Sequence, residues 1–176
     1  MKILVTGGAG FIGTHTCVEL LNSGYQIVIV DNLINSSIEA LNRVKQITNK
    51  QFSFYQVDID DRSELQTIFH TDKNIEAVIH FAAHKAVGES VQSPLKYYQN
   101  NVVSTIILLE ELDKAGIRKF VFSSSATVYG DPDAVPITEN FPTKATNPYG
   151  QSKLIIEDVL QDLAKSDYRW SISILR

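Results

Sequence analysis

The chain has 176 residues, 44% of them hydrophobic and 20% charged, with a mean hydropathy of −0.04; this is enough for one domain with a real core and too apolar for a disordered segment. Sixteen Lys+Arg against twenty Asp+Glu leave a net charge of −4 without a basic stripe, which argues against nucleic acid as a partner. No apolar run approaches the ~18 residues that would span a membrane, and Met1–Val5 is too short for a signal-peptide core, so a soluble cytoplasmic domain is expected.

In chain order, short β-branched runs alternate with helical patterns. The runs are Ile3–Thr6, Gln26–Val30, Phe52–Val57, Ala77–Phe81, Lys119–Ser123 and Ser171–Leu175. They show little alternation of polar and apolar residues, as parallel strands covered on both faces do. Helices are predicted at Phe11–Asn22, Ser37–Thr48, Arg62–His70, Pro94–Ala115 and Tyr149–Lys165. Six strands joined by helical crossovers predict a doubly wound α/β fold with helices on both faces of a parallel sheet. The lone cysteine, Cys17, can form neither an internal disulfide nor a cysteine-based zinc site, and reads as a small buried hydrophobe on the first helix. Four of the five prolines fall between the fifth strand and the last helix, in a loop long enough to be functional. The chain halts at Arg176, where an active-site loop beyond a strand's carboxyl end would begin.

Four of the nine glycines lie in Thr6–Gly13, directly after the first strand and opening the first helix. Gly7 permits a tight turn, Gly10 lets the backbone approach a pyrophosphate, and Gly13 allows close packing of helix on strand. The helix N-terminus adds free N–H groups and a positive dipole end, so the context predicts dinucleotide binding. Asp31 ends the second strand eighteen residues after Gly13, where a carboxylate can accept from adenosine ribose hydroxyls. No Lys or Arg lies between Asp31 and Asn42 to receive a 2′-phosphate, which favours NAD over NADP. Asp58-Ile59 ends the third strand and suits either the edge of an adenine site or an ordinary polar terminus.

In Tyr149-Gly150-Gln151-Ser152-Lys153 a phenol and an ammonium share one helical face at i and i+4, and a lysine so placed favours the phenolate. Tyr149 alone among the seven tyrosines has such a lysine. Ser123-Ser124-Ser125, at the end of the fifth strand, can supply a hydroxyl to the oxygen that exchanges the proton. His80 and His84 are four apart, but His80 lies in a strand and no carboxylate completes a site, so no metal is expected. The serines lack the glycine-flanked elbow of a hydrolase nucleophile.

The segments TGGAGFIG, VDNL, HFAAHKAVGES, YYQNNV, SSSATVYGD and NPYGQSK occur in the order seen in the extended short-chain dehydrogenases/reductases, which this chain resembles over essentially its whole length. The resemblance is strongest to the nucleotide-sugar 4-epimerases of that family. It implies a Rossmann fold, tightly held NAD, and interconversion of UDP-galactose with UDP-glucose. Carried over by position, it implies cofactor contacts from Phe11 and Ile12, from Asp31, Asn32, Leu33, Ile34, Asn35 and Ser36, from Asp58 and Ile59, from Phe81, Ala82, Ala83, His84 and Lys85, and from Asn100. Tyr149 would be the acid/base, Lys153 would bind the nicotinamide ribose and tune Tyr149, and Ser125, the serine followed by ATVYG, would meet the substrate hydroxyl. Proton and hydride would leave the sugar C4, and the 4-keto sugar would turn its other face before the hydride returned, so that NAD is resident. Nucleotide-sugar 4,6-dehydratases resemble the chain too, but need an acid/base pair where it has Ala126 and Thr127.

The family's chains continue past Arg176 into a substrate-binding domain, so residues 1–176 are expected to be the NAD-binding Rossmann domain, carrying the Tyr/Lys pair and nearly inactive alone. A Rossmann module that only binds or senses NAD, and an epimerase of another nucleotide sugar, are the alternative readings. The family also implies a homodimer through the helices at 94–115 and 149–165, although burial against the sheet would explain the same apolar residues.

Overall fold

The β-branched and aromatic runs become six strands of one parallel sheet in a computed structural model that describes residues 1–176. They are β1 (Lys2–Thr6), β2 (Gln26–Val30), β3 (Ser53–Tyr55), β4 (Ile75–His80), β5 (Lys119–Ser123) and β6 (Ser171–Leu175). Their spatial order is β3-β2-β1-β4-β5-β6. The order reverses between β1 and β4, which opens a crevice at their carboxyl ends, where doubly wound sheets bind ligands. Thr6 aligns with Val30 on one side and His80 on the other, so three strand ends meet at the crevice.

The crossovers are α1 (Phe11–Asn22), α2 (Ile38–Thr48), α3 (Arg62–Thr71), α4 (Val87–Gln92), α5 (Pro94–Tyr97), α6 (Ser104–Lys114) and α7 (Pro148–Ser166). Alternate strand residues feed two cores. Leu4, Val28, Val78, Phe120 and Phe122 pack with Leu65, Leu108, Leu112, Ile156 and Leu160 of α3, α6 and α7. Ile3, Val5, Ile27 and Ile29 pack with Cys17, Leu21, Leu41 and Val44 of α1 and α2. Each fully buried aliphatic side chain contributes about 1.5–3 kcal/mol by leaving water. Cys17 is completely buried, and burial pushes its thiol up to about 12.

Boundaries follow local chemistry. Asp61 caps α3 through the amides of Ser63 and Glu64, and Asn147 caps α7 through Gly150 N–H at 2.8 Å, with Pro148 at the first helical position. The structure departs from the expected elements in several places. β3 is shorter than Phe52–Val57, because only Ser53–Tyr55 find partners on β2. β4 starts earlier, at Ile75, and stops at His80. The six-residue α4 went unread, its pattern being too short for a helical period and interrupted by Gly88. The run Pro94–Ala115 is not one α-helix: a π-helical segment, Tyr98–Val103, separates α5 from α6. Thr105 Oγ1 donates to the Asn101 carbonyl (2.6 Å) and Ser104 Oγ to that of Gln99 (3.3 Å), so hydroxyls serve carbonyls of the widened turn. β6 also departs from the two-face pattern: its serines are exposed while Ile172 and Ile174 pack on the α7 side. No helix is long and apolar enough to cross a membrane.

Candidate active site

The turn after β1 is built around two glycines that admit no side chain. Gly7 has φ +67°, and a Cβ on it would lie 2.6 Å from the Ala82 amide nitrogen. A Cβ on Gly13 would strike the Gly7 carbonyl, so Gly13 seats α1 on the turn itself and not on the strand as expected. Gly10 is the N-cap of α1 and offers no side-chain cap. The first i→i−4 bond is Thr14 N–H to Gly10 O (2.9 Å), which leaves the amides of Phe11, Ile12 and Gly13 without intrahelical partners. Phe11 and Ile12 are exposed beside them.

Asp31, 6% exposed, does more than end β2. One carboxylate oxygen accepts from Ala9 N–H (2.9 Å), and the other from Leu33 N–H (2.9 Å) and Ser36 Oγ (2.7 Å). A carboxylate has about four lone-pair sites, so three are engaged in shaping the glycine turn and the loop after β2, and about one remains for a ribose hydroxyl. Asn32 Nδ2 donates to Asp58 (2.9 Å), tying the ends of β2 and β3 together.

The loop after β4 forms the floor. It is fastened by Asn101, which is completely buried and uses every polar atom it has. Its Oδ1 accepts from His84 N–H (2.8 Å) and Asn100 Nδ2 (2.9 Å), and its Nδ2 donates to His84 O and Ser152 Oγ, both at 3.0 Å. Tyr97 adds a second fastening, accepting from Ala86 N–H (3.0 Å) and donating to Glu89 (2.7 Å). Burial, followed by the Glu89 carboxylate, pushes the Tyr97 phenol up to about 12. Asn101 and Tyr97 were missed from the sequence. The signal was there in the second Asn of the Asn100-Asn101 pair, a poor helix former in a helical pattern.

On the other wall, Lys153 is 3% exposed, its Nζ donating to the Ser123 carbonyl (2.7 Å) and standing 4.7 Å from the Phe122 ring centre. Burial pulls its ammonium down to about 8, while the Glu157 carboxylate acts in the opposite direction. Ser125 Oγ caps the short 3₁₀ turn Ala126–Tyr129, accepting from Thr127 N–H (3.2 Å) and Thr127 Oγ1 (2.9 Å).

Tyr149, Lys153 and Ser125 line a cleft of about 360 Å³ together with Ser123, Ser124, Gly7, Gly10, Phe11, Ile12, Gly13, Asn35, Phe81, Ala82, Ala83 and Lys85. A narrower continuation shares Gly7, Asn35, Ala82 and Ala83 and adds Asp31, Asn32, Ile34, Asp58, Ile59, His84 and Asn100. One groove therefore runs along the carboxyl edge of the sheet, from the acidic end of β2 to the Tyr149/Lys153 pair. Leu33 and Ser36 stand outside the lining and act on Asp31, Leu33 with φ +60°. No group of three or more His, Cys, Asp or Glu could hold a metal ion. His80 is enclosed between Thr6 Oγ1 (2.6 Å) and Thr105 Oγ1 (2.9 Å).

This fold and glycine turn define a Rossmann-type domain with a Tyr-x-x-x-Lys pair at one end of its crevice. The chain belongs to the GDP-mannose 4,6 dehydratase family, whose model matches residues 4–175. It is 62% identical over 176 residues to the UDP-glucose 4-epimerase of Bacillus subtilis, covering 100% of this chain and 52% of that protein. To the UDP-glucose 4-epimerase of Dictyostelium discoideum it is 58% identical over 175 residues, covering 99% and 51% respectively. Among solved structures, it superposes on the UDP-glucose 4-epimerase of Bifidobacterium longum in complex with NAD+ and UDP, with TM-score 0.97 and 52% identity over all of this chain and 52% of that one. The Stenotrophomonas maltophila UDP-glucose-4-epimerase, with bound NAD and formylated UDP-arabinopyranose, gives TM-score 0.96 at 46% identity, again over all of this chain and 52% of that one. The chain thus spans about half the length of these relatives.

Proposed function

We propose that residues 1–176 are the NAD-binding domain of a cytoplasmic UDP-glucose 4-epimerase, which interconverts UDP-galactose and UDP-glucose by transient oxidation at the sugar C4. The observation that carries this reading is the wall of Tyr149, Lys153 and Ser125. It places a phenol, a buried ammonium and a hydroxyl at one end of a groove whose far end is acidic.

The residues fit the cofactor. Lys153 has three N–H donors and one acceptor, the Ser123 carbonyl, so two N–H groups remain for ribose hydroxyls. The amides of Phe11, Ile12 and Gly13 suit a pyrophosphate, and Asp31 suits an adenosine ribose and repels a 2′-phosphate. Phe81–Lys85, Asn100 and Asp58-Ile59 complete the binding groove. When bound, NAD supplies a hydride acceptor that returns what it takes. Tyr149 takes the proton of the sugar C4 hydroxyl and later gives it back. Lys153 holds its ammonium one helical turn from the phenol, and Ser125 offers its hydroxyl to the same substrate oxygen. Ala126 and Thr127 carry no acid or base where dehydration would need a pair, which supports epimerisation within this family.

The same reading includes little or no turnover by residues 1–176 alone. The grip on uridine is assigned to the half of the relatives that this chain does not span. It also includes pairing of two copies through α6 and α7, whose outer faces form a groove lined by Ile106, Leu109, Val159 and Leu163. The test is to give the full-length protein NAD and UDP-galactose and look for UDP-glucose. Tyr149→Phe is expected to keep NAD bound and lose product by at least about a hundredfold. A protein that makes no product from UDP-galactose but epimerises another nucleotide sugar is the second alternative, and one whose NAD-dependent behaviour survives Tyr149→Phe is a binding or sensing module instead.

A further inference from the structure

One buried ionised group has no part in that reaction. Glu157 is completely enclosed, one helical turn beyond Lys153 on α7. Its carboxylate accepts from the Ser124 hydroxyl and from Arg176, with Nη2 at 2.6 Å and Nε at 3.1 Å. Arg176 in turn donates to the Tyr129 hydroxyl (3.0 Å), and Ser124 N–H donates to the Leu175 carbonyl (2.7 Å).

These bonds tie two consecutive strand-end serines to two successive turns of α7. Ser123 gives its carbonyl to Lys153 and Ser124 gives its hydroxyl to Glu157, while all three serines line the cleft with Tyr149. Lys153 and Glu157, at i and i+4 on the helix, meet the successive residues Ser123 and Ser124, so a slip of α7 would break both pairs together. Below Tyr149 the helix has no slack either: a Cβ on Gly150 would lie 2.8 Å from the Thr127 carbonyl. For stability alone an apolar residue at 157, with a matching one at 176, would serve as well, because a buried ion pair gains little over hydrophobic packing. What an apolar residue cannot supply is a negative charge one turn from an ammonium that burial disfavours.

We propose that Glu157 is a positioning residue of this site: through Ser124 and Arg176 it sets the register of α7 against the ends of β5 and β6, and it stands as a fixed negative charge one helical turn from the Lys153 ammonium. Around Lys153 stand Tyr149 and Glu157 on α7; on β5, the Phe122 ring and the Ser123 carbonyl; on β4, His80, neutral and bonded at both nitrogens; on the loop after β4, Lys85, which lines the same cleft; and beyond β6, Arg176, whose charge is tied to Glu157. Burial opposes the Lys153 charge and Glu157 favours it.

The experiment uses the full-length protein and two readouts. The first is the pH titration of the Lys153 side chain by NMR of its 13Cε–1Hε resonances, which does not depend on the assigned reaction. The second is kcat and KM for epimerisation, which rests on the proposed function. Glu157→Gln is expected to lower the Lys153 titration by about one pH unit and kcat by about tenfold, with KM for the sugar within about threefold of wild type. Ser124→Ala, which keeps both charges, is expected to leave the titration in place and lower kcat about threefold. A folded Glu157→Gln protein whose Lys153 titrates as in the wild type overturns the proposal. If Glu157→Gln does not fold, wild-type kcat in Ser124→Ala overturns it instead. A wild-type protein without epimerase activity counts against the proposed function, and the Lys153 titration still decides this inference.

Discussion

Acid should weaken this domain through one histidine, in a window where its carboxylates stay silent. His80 is enclosed in the sheet, stacked near Phe122, and bonded at both ring nitrogens. Thr105 already donates its hydroxyl to the Asn101 carbonyl, so it can only accept from His80 Nε2–H. Nδ1 is then bare and accepts from Thr6, and no lone pair remains for a second proton without breaking a bond. Burial first, and the nearby Lys153 ammonium second, pull the imidazole from 6.5 down to about 3. A base whose folded value is depressed contributes stability that is present above its unfolded value and is lost as pH falls below it. Between pH 7.5 and pH 5 the unfolded chain gains a proton that the folded chain refuses, a loss of about 2 kcal/mol. His84, also lowered by burial, adds a smaller effect of the same sign. The carboxylates held low, such as Glu111 at about 2, lose their contribution only below about pH 4.5. Urea unfolding at pH 7.5, 6.5, 5.5 and 5.0 should show the fall in the wild type and a much flatter profile in His80→Gln, whatever that variant's own stability. Parallel profiles for the two proteins would refute the assignment of a neutral, doubly bonded His80.

Two other substitutions probe the groove. Gly7→Ala meets positive φ, at about 1 kcal/mol, and a backbone clash with Ala82 and Phe81 that no rotamer relieves, for a total of about 3 kcal/mol or more in urea unfolding. Gly24→Ala, with φ +85° and nothing within 4 Å, should cost only the first of these terms and serves as the control. Asn101→Leu strands the His84 amide and carbonyl and is expected to cost about 2–4 kcal/mol, with NAD affinity, measured by calorimetry, falling at least about tenfold as the loop carrying Ala83–Lys85 loosens. Unchanged affinity in a folded Asn101→Leu protein would show that the loop holds its shape without this side chain.

The strands and the two ends of the groove were legible in the sequence because their signals are local. Unbroken β-branched runs identify buried parallel strands, a glycine turn between strand and helix has few conformations, and Tyr149 and Lys153 share a face through helical periodicity alone. Arrangements that depend on partners distant in the chain were not legible. The π segment at Tyr98–Val103 exists where Asn101 reaches both His84 and Ser152, and no window of sequence contains those partners. Asp31 reads as a ribose ligand from its position, yet three of its acceptor sites are engaged by Ala9, Leu33 and Ser36. The run of three serines is visible in the sequence, but only the docking of α7 onto the ends of β5 and β6 gives the Ser123 carbonyl to Lys153 and the Ser124 hydroxyl to Glu157. Sequence by itself determined which residue types stand at the site, because covalent spacing and periodicity decide that. Tertiary structure decided what each is bonded to, because hydrogen bonds and buried charges are settled only when elements far apart in the chain close on one another.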